Sequence, residues 1–400
     1  MYGQETFKAN SAVIRVMGIG GGGCNAINSM IESNISSAEF IAVNTDSQAL
    51  LLSKAERCIQ IGEILTKGLG AGSDPNVGEA AAEESKDSIA SALEGTDLLF
   101  IAAGMGGGTG TGAASVVARI ARELGILTVA VVTKPFSFEG RVRNENANKG
   151  IANLKKYVDT LVIIPNDKLL QFLPNNIAMM DAFKVADDML KQGIVGIVDL
   201  IATPSLINLD FADVNTVMRN QGLAHMGVGR AKGENRVIEA VRQAVSSPLL
   251  ETTIEGAKSV IINVSGGKDL TLGEANEAAL LIQGIIDEKA NIIFGTTIDE
   301  HMVDELKVTV IATGFLPNDS GRETILKRAT VEPKKEEEDS LPLLKIANAE
   351  KEKEEKVSVP VEQPKVEEIP VAEEVVEEPE VKDESKGREL PAFMKKLFKK

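Results

Sequence analysis

The sequence predicts an α/β protein with a long central helix, a second, smaller α+β domain and a disordered acidic tail region. Three observations carry this. Short β-rich apolar runs alternate with helical stretches from about Ser11 to Phe315, one apolar-periodic segment runs from about Asn176 to Thr203, and the composition changes abruptly after roughly Ser320. Alternation of that kind is the signature of a parallel sheet covered on both faces, because each crossover lays a helix over the sheet.

Taken in order, Val13 to Ile19 is a short apolar run, followed by a glycine cluster and the helical stretch Asn25 to Ser33. Phe40 to Val43, Leu98 to Ala102, Leu127 to Val132 and Leu161 to Ile164 read as buried strands, each bounded by turn residues or helical segments. The segment holding Phe183, Val185, Leu190, Ile194, Ile197 and Leu200 keeps a helical period until Pro204 stops it. A helical stretch from Asn235 to Val245 and strands at Ser259 to Val264, Asn291 to Thr296 and Lys307 to Thr313 then supply the second domain. The expected divisions are a flexible N-terminus at 1–10, a nucleotide domain at 11–175, the central helix at 176–203 and the second domain at 204–318. A disordered linker at 319–388 and a short peptide at 389–400 complete the chain.

The linker prediction rests on composition. Val331 to Lys386 is built from Glu, Lys, Val and Pro, and Val366 to Glu380 carries seven acids and no base. Such a stretch cannot bury enough apolar surface to offset its chain entropy. The final residues, Leu390 to Lys400, turn apolar and basic, which fits a peptide that folds onto a partner better than a solvated charge run.

Bulk properties exclude several classes. A formal charge of −16 argues against a nucleic-acid binder, which needs a basic face for the phosphate backbone. Two cysteines, Cys24 and Cys58, and two histidines, His225 and His301, are too few for a disulfide framework or a His-based zinc site. Met1 to Glu5 has neither a basic region nor an apolar core of a secretory signal, and no apolar run reaches membrane-spanning length. A cytoplasmic, reduced protein is expected.

Chemistry enters with two glycine loops. Gly18-Ile19-Gly20-Gly21-Gly22-Gly23 follows a strand and opens a helix, where free amides and the helix dipole favour an anion. Gly18, Gly20 and Gly23 also satisfy GxGxxG, with Asp46 downstream, so a nicotinamide-dependent dehydrogenase explains this loop almost as well. The second loop, Gly104 to Gly112, has six glycines in nine residues and opens a helix expected near Ala113. A dehydrogenase has no role for it. Backbone that must approach phosphates closely does need such glycines. No Gly-Lys pair is followed by Ser or Thr, and NKxD is absent, so this is no P-loop enzyme.

Gly106-Gly107-Gly108-Thr109-Gly110-Thr111-Gly112 matches the signature of the tubulin/FtsZ family, and the chain resembles that family from about Ser11 to Phe315. The resemblance includes Val43-Asn44-Thr45-Asp46, Thr66 to Gly72, Thr133-Lys134-Pro135-Phe136 and Ile164 to Leu170. It implies a Rossmann-like GTPase domain binding GTP or GDP with Mg²⁺ held mainly through the phosphates, and admits K⁺. No metal ligand is expected from the protein.

By the same resemblance, Gly21, Gly22, Gly23, Cys24 and Asn25, with Gly104, Gly107, Gly108, Thr109 and Gly110, surround the phosphates. Asn44 belongs to the same site, and Ala71 and Gly72 lie by the γ-phosphate. Glu139 and Arg143 match positions on the ribose and base side, although an ordinary i,i+4 ion pair is the plainer reading of that spacing. Asn166, Phe183 and Asp187 match the guanine pocket. Phe183 and Asp187 share a helix face at i,i+4, which a core Phe beside a solvated Asp would also do.

Asn208, Asp210 and Asp213 resemble the family's catalytic synergy loop. A helix of roughly 25 residues spans on the order of 37 Å. That separates these residues from their own nucleotide, so they serve only a neighbour stacked head to tail. Such a contact does not close and makes filaments. Both aspartates are also favourable helix-start residues.

Ser115 and Ser205 stand where the family has Pro and Gly, and altered rates rather than lost function are expected. A filament that binds GTP without turnover is the rival within the family. The resemblance implies a cytokinetic-ring scaffold of bacterial cell division, placed at midcell beneath the inner membrane. Its partners would be itself and, through Leu390 to Lys400, an actin-like membrane tether and other division proteins. Four lysines at the very end add an expected weak contact with anionic lipid.

Overall fold

A computed structural model describes residues 12–315, apart from 34, 36, 172, 174, 175, 203–209, 247–253, 255, 288, 300 and 301. The expected N-terminal arm, Asn208, Ser205, the acidic linker and the terminal peptide lie outside the described residues. No helix among those described is long and apolar enough to cross a membrane.

The first half alternates as expected: β1 (Ile14–Ile19), α1 (Gly20–Glu32), β2 (Glu39–Asn44), α2 (Ser47–Leu51), β3 (Arg57–Gln60), α3 (Glu63–Thr66), α4 (Pro75–Glu84) and α5 (Lys86–Leu93). There follow β4 (Leu98–Gly104), α6 (Thr109–Glu123), β5 (Leu127–Lys134), α7 (Arg141–Leu154), β6 (Thr160–Pro165) and α8 (Asn166–Leu170). The long helix α9 covers Met179–Ala202. The second half comprises α10 (Phe211–Met218), β7 (Gly222–Lys232), α11 (Arg236–Val245), β8 (Ser259–Gly266), α12 (Leu272–Gln283), β9 (Asn291–Ile298) and β10 (Glu305–Thr313).

The ten strands of the described residues join one sheet in the order β3-β2-β1-β4-β5-β6-β7-β10-β8-β9. The first six are parallel and carry the doubly wound order 3-2-1-4-5-6. The halves meet where β6 pairs in parallel with the start of β7, over Thr160↔Gly222 to Val162↔Ala224. β10 then runs antiparallel between β7 and β8.

β4 shows why these apolar runs are strands. Leu98, Phe100 and Ala102 belong to the core on one face, whereas Leu99, Ile101 and Ala103 belong to the core on the other. A strand buried on both faces shows no polar alternation. α9 contributes Val185, Leu190, Ile194 and Ile197 to the first of these cores. Its Gly193 and Gly196 let it lie close: a Cβ there would sit 3.1 Å from Val131 Cγ1 and 3.1 Å from Met226 Cε, respectively.

Several elements differ from the sequence reading, among them α1, which begins at Gly20 rather than Asn25, and β3, which that reading does not contain. β7 is a strand the sequence conceals, since Gly222, Gly227 and Gly229 weaken its β signal. α11 packs so tightly on it that a Cβ at Gly227 or Gly229 would lie 1.8 Å from the carbonyl oxygens of Ala244 or Ala240. α6 begins at Thr109 rather than near Ala113, so Gly110 and Gly112 are helical. A Cβ at Gly112 would lie 2.0 Å from the Pro75 carbonyl oxygen, so this glycine serves the packing of α6 on α4.

Candidate functional site

Where the strand order reverses, between β1 and β4, a parallel sheet leaves a crevice outside its strand ends. α1 and α6 both start there. Asp46, Asp74, Asp210 and Thr271 each accept backbone amides at the starts of α2, α4, α10 and α12, while α3, α5, α7, α8 and α11 have no side-chain cap. α1 and α6 have no side-chain cap and no acid in the first turn. Their first amides therefore lack side-chain partners, and both dipoles present positive ends to one crevice.

The two turns are in contact. A Cβ at Gly20, whose φ is +72°, would lie 2.8 Å from the Gly110 nitrogen, and one at Gly22 would lie 3.4 Å from Gly104 Cα. Gly23 sits against the Ala102 carbonyl, while a Cβ on Gly21 would meet nothing within 4 Å. Gly21, Gly22 and Asn25 are exposed, and Gly104, Gly107 and Thr109 are half-buried. Thr45 and Thr109 share a hydroxyl hydrogen bond of 2.7 Å that ties the end of β2 to the start of α6.

Ala71 and Gly72 approach from the side. A Cβ at Gly108 would sit 2.8 Å from the Ala71 Cβ, and Gly72, at φ +57°, faces open space. Cys24 is different. Its thiol is buried, lies 3.7 Å from the Gly18 carbonyl oxygen and 3.8 Å from that of Val43, and burial pushes its pKa up to about 12. Its side chain therefore belongs to the core, leaving only its backbone on the phosphate side. Asp46 is the α2 cap, with Oδ1 accepting from Gln48 and Ala49, so it is not a free ribose acceptor.

Four buried side-chain polar atoms lack a hydrogen-bond partner among the described residues; Arg230 Nε and Thr296 Oγ1 lie in the second half, whereas Asn44 Nδ2 and Asn166 Oδ1 stand at strand ends of the first. A buried donor and a buried acceptor left open are costly unless a ligand completes them. Both side chains are nearly inaccessible, and both stand at the ends of parallel strands, β2 and β6.

Beyond the loops, the Arg143 guanidinium bonds Glu139 at 2.9 Å, so the plain i,i+4 pair does form. It is more than a surface pair. Glu139 is only 10% exposed and its Oε1 also accepts the Phe136 amide, at 2.9 Å. Arg143 reaches over the second loop, with Nη2 3.7 Å from where a Gly107 Cβ would stand. Phe183 stands edge-on to Phe136 and Phe138, with centroids 5.4 and 6.5 Å away. Phe138 has no motif of its own, and only the fold brings it to Phe183. Asp187 is one turn along α9, and its carboxyl is pushed up to about 7 by burial and then by the neighbouring charge of Asp188.

Asp210 and Asp213 lie elsewhere. α10 ends against the starts of the strands: Thr160 Oγ1 donates to the Met218 carbonyl, and the Asn220 amide donates to Asp159 Oδ1. The glycine loops occupy the opposite strand ends. Between them runs α9, whose 24 residues span about 36 Å. No group of three or more His, Cys, Asp or Glu side chains able to hold a metal ion occurs among the described residues.

Paired phosphate cradles at the switch point of this sheet define a nucleotide-binding domain outside the P-loop class. Comparison with known proteins is specific. Residues 13–174 match the tubulin/FtsZ family GTPase domain and residues 222–316 the FtsZ family C-terminal domain. An FtsZ from M. jannaschii, solved as an empty dimer, is 48% identical with a TM-score of 0.74, over 77% of this chain and 89% of that one. A mutant FtsZ from M. jannaschii is likewise 48% identical with a TM-score of 0.74, over 76% and 92%. CetZ2 from Haloferax volcanii, a GTPγS-bound protofilament, shares the fold at 20% identity and a TM-score of 0.67, over 79% and 97%. The chain belongs to the FtsZ family.

Proposed function

We propose that this chain hydrolyses GTP at the junction between subunits stacked head to tail, and that the resulting filament scaffolds the cytokinetic ring in cell division. One observation carries the reading: the glycine loops and the Asp210–Asp213 pair lie toward opposite strand ends of one sheet, about 36 Å of helix apart. No single subunit brings them together, whereas a translational stack does so at every junction. The empty M. jannaschii FtsZ dimer and the CetZ2 protofilament support self-association by this chain.

In this mechanism Gly21, Gly22, Gly23 and Asn25 hold the phosphates from α1, and Gly107 to Gly110 from α6. The open amides stabilise charge as it develops on the transferred phosphoryl group. Asn44 and Asn166 complete their unpartnered atoms on the nucleotide, Glu139 and Arg143 line its ribose side, and Phe183 and Asp187 select guanine. Asp210 and Asp213 of the adjoining subunit, with Asn208, orient and polarise the attacking water. Mg²⁺, with K⁺ as an accessory ion, would be held mainly through the nucleotide phosphates and would supply charge neutralisation there. The chain acts in the cytoplasm under the membrane at the division site. Leu390 to Lys400 docks on an actin-like tether and touches anionic lipid weakly.

The test is GTP turnover per subunit against protein concentration, with Mg²⁺ and K⁺, for wild type and Asp210→Ala. Turnover that rises only above a threshold and vanishes in the variant supports a shared site. Turnover per subunit independent of concentration means the site is complete within one chain.

A further inference from the structure

The hydroxyls of Thr45 and Thr109 lie 2.7 Å apart, and their protons can be counted. Each hydroxyl carries one proton, and the bond between them uses only one of the pair. Thr45 is fully buried, and among the described residues Thr109 is the sole partner of its hydroxyl. Were Thr109 the donor, the Thr45 proton would be buried without an acceptor, which folded chains avoid. Thr45 therefore donates, Thr109 Oγ1 accepts, and the proton of Thr109 stays free for another acceptor. Its place is telling. Thr109 is half-buried at the first position of α6, and a Cβ at Gly20 would stand 3.4 Å from its Cβ. The side chain thus stands where the two glycine loops meet.

Thr45 is itself held from behind. Its carbonyl accepts the Gly70 amide and the Thr66 hydroxyl, each at 3.3 Å. Thr66 Oγ1 in turn accepts the Gly68 amide at 3.3 Å. These bonds come from the loop that leads into Ala71 and Gly72, and they fix the backbone at Thr45 opposite Thr109.

We propose that Thr45 is a positioning residue: by donating to Thr109 Oγ1, it orients the Thr109 hydroxyl as a donor to a phosphate oxygen of the nucleotide. A hydroxyl that accepts one hydrogen bond donates the next more strongly, because bonds in a chain polarise one another. A donor set before the ligand arrives needs no reorganisation when charge develops on the phosphate. Thr45, buried behind Thr109, acts only through it. This role rests on the reading that the crevice takes GTP by its phosphates.

The experiment titrates the full chain, freed of nucleotide and dilute enough to stay monomeric, with GTP and Mg²⁺. It compares wild type, Thr45→Val, Thr45→Ser, Thr109→Val and the double valine variant, each with a denaturant unfolding curve. Valine keeps the shape of threonine and removes the donor. GTP affinity should fall roughly tenfold in Thr45→Val and return to within about twofold of wild type in Thr45→Ser. The double variant should bind no worse than Thr109→Val alone, because the two residues act in series. A tie that merely joins β2 to α6 would shift the unfolding midpoint, and its effect on binding would add to that of Thr109→Val. Additive losses overturn the proposal, as does a Thr45→Val that binds GTP like wild type. Should Thr45→Val fail to fold, Thr45→Ala removes the hydroxyl without setting a methyl group against Thr109 and is read by the same criteria. Wild type that binds no GTP overturns the nucleotide reading and this role together, whereas equal binding by wild type and Thr45→Val overturns this role alone.

Discussion

Asp210 and Asp213 hold each other's backbone. The Asp213 amide donates to Asp210 Oδ1 at 2.8 Å and the Asp210 amide donates to Asp213 Oδ2 at 3.3 Å. Each carboxylate thus uses one oxygen to start α10 and keeps the other for different work. The two duties separate by substitution. Asn caps a helix as well as Asp does, whereas Ala loses about 1 kcal/mol. Asp210→Asn should therefore match wild type in chemical denaturation while turnover falls by about 100-fold or more. Asp210→Ala should lose both. Wild-type turnover in Asp210→Asn would remove the carboxylate from catalysis.

The glycines of the first loop divide in the same way. A Cβ at Gly23 would stand 2.3 Å from the Ala102 carbonyl oxygen, while one at Gly21 meets nothing within 4 Å. Gly23→Ala should lower the melting temperature of the nucleotide-free protein, because β4 cannot move away from β1 without breaking the sheet. Gly21→Ala should melt like wild type and bind GTP at least about tenfold more weakly, since its methyl group enters the side where phosphate approaches. Thermal melts beside equilibrium nucleotide titrations check both. Equal melts for the two variants would dissolve the distinction.

What was legible in the sequence follows from what is local. β1, β4 and β5 announce themselves because burial on both faces leaves mostly apolar residues, with few polar ones such as Arg15 and Thr128. The phosphate loops do so because six glycines in nine residues have few other uses. Phe183 and Asp187 are readable as one face of α9 through their spacing. The Thr45–Thr109 bond is not, since the two are 64 residues apart and meet only through strand register. Nor is the inward turn of Cys24, which neighbours two exposed glycines in sequence yet packs behind them. β7 escaped because its glycines answer to the carbonyls of α11, a partner that no local pattern reveals.

If Asp187 accepts hydrogen bonds from guanine, as proposed, nucleotide binding becomes sensitive to pH. Burial and then the charge of Asp188 push its carboxyl up to about 7, well above the usual carboxylate range. A raised folded pKa means that the empty folded protein holds a proton the unfolded chain releases. Its stability therefore declines as pH rises from about 4 to about 7. Guanine, which donates hydrogen bonds, requires the ionised form. GTP affinity should then fall roughly eightfold between pH 7.5 and pH 6. Calorimetric titration across that range is the check, with Asp187→Asn binding more weakly and almost without pH dependence. A wild-type profile as flat as that of the variant would exclude Asp187 from base recognition.

Arg236 offers the opposite sign. Its buried guanidinium donates to both carboxylate oxygens of Glu274, at 2.6 and 3.1 Å, and pairs with Asp269. This fastens the start of α11 to the first turn of α12 and, through Asp269, to the loop before it. Hydrogen bonds from Arg236 hold Glu274 down at about 2 and lower Asp269 as well. With folded pKa values depressed, the stability they confer is fully present above the ordinary carboxylate pKa. It is lost as pH falls from about 4.5 toward about 2. Denaturant midpoints measured from pH 6 to pH 3 should therefore decline in wild type. Glu274→Gln keeps the shape and weakens the charge-assisted bonds, so it should cost about 1–3 kcal/mol at pH 7. Its decline toward pH 3 should be shallower, because one of the protons taken up on unfolding is gone. A variant that declines as steeply as wild type would place the acid sensitivity in another set of carboxylates.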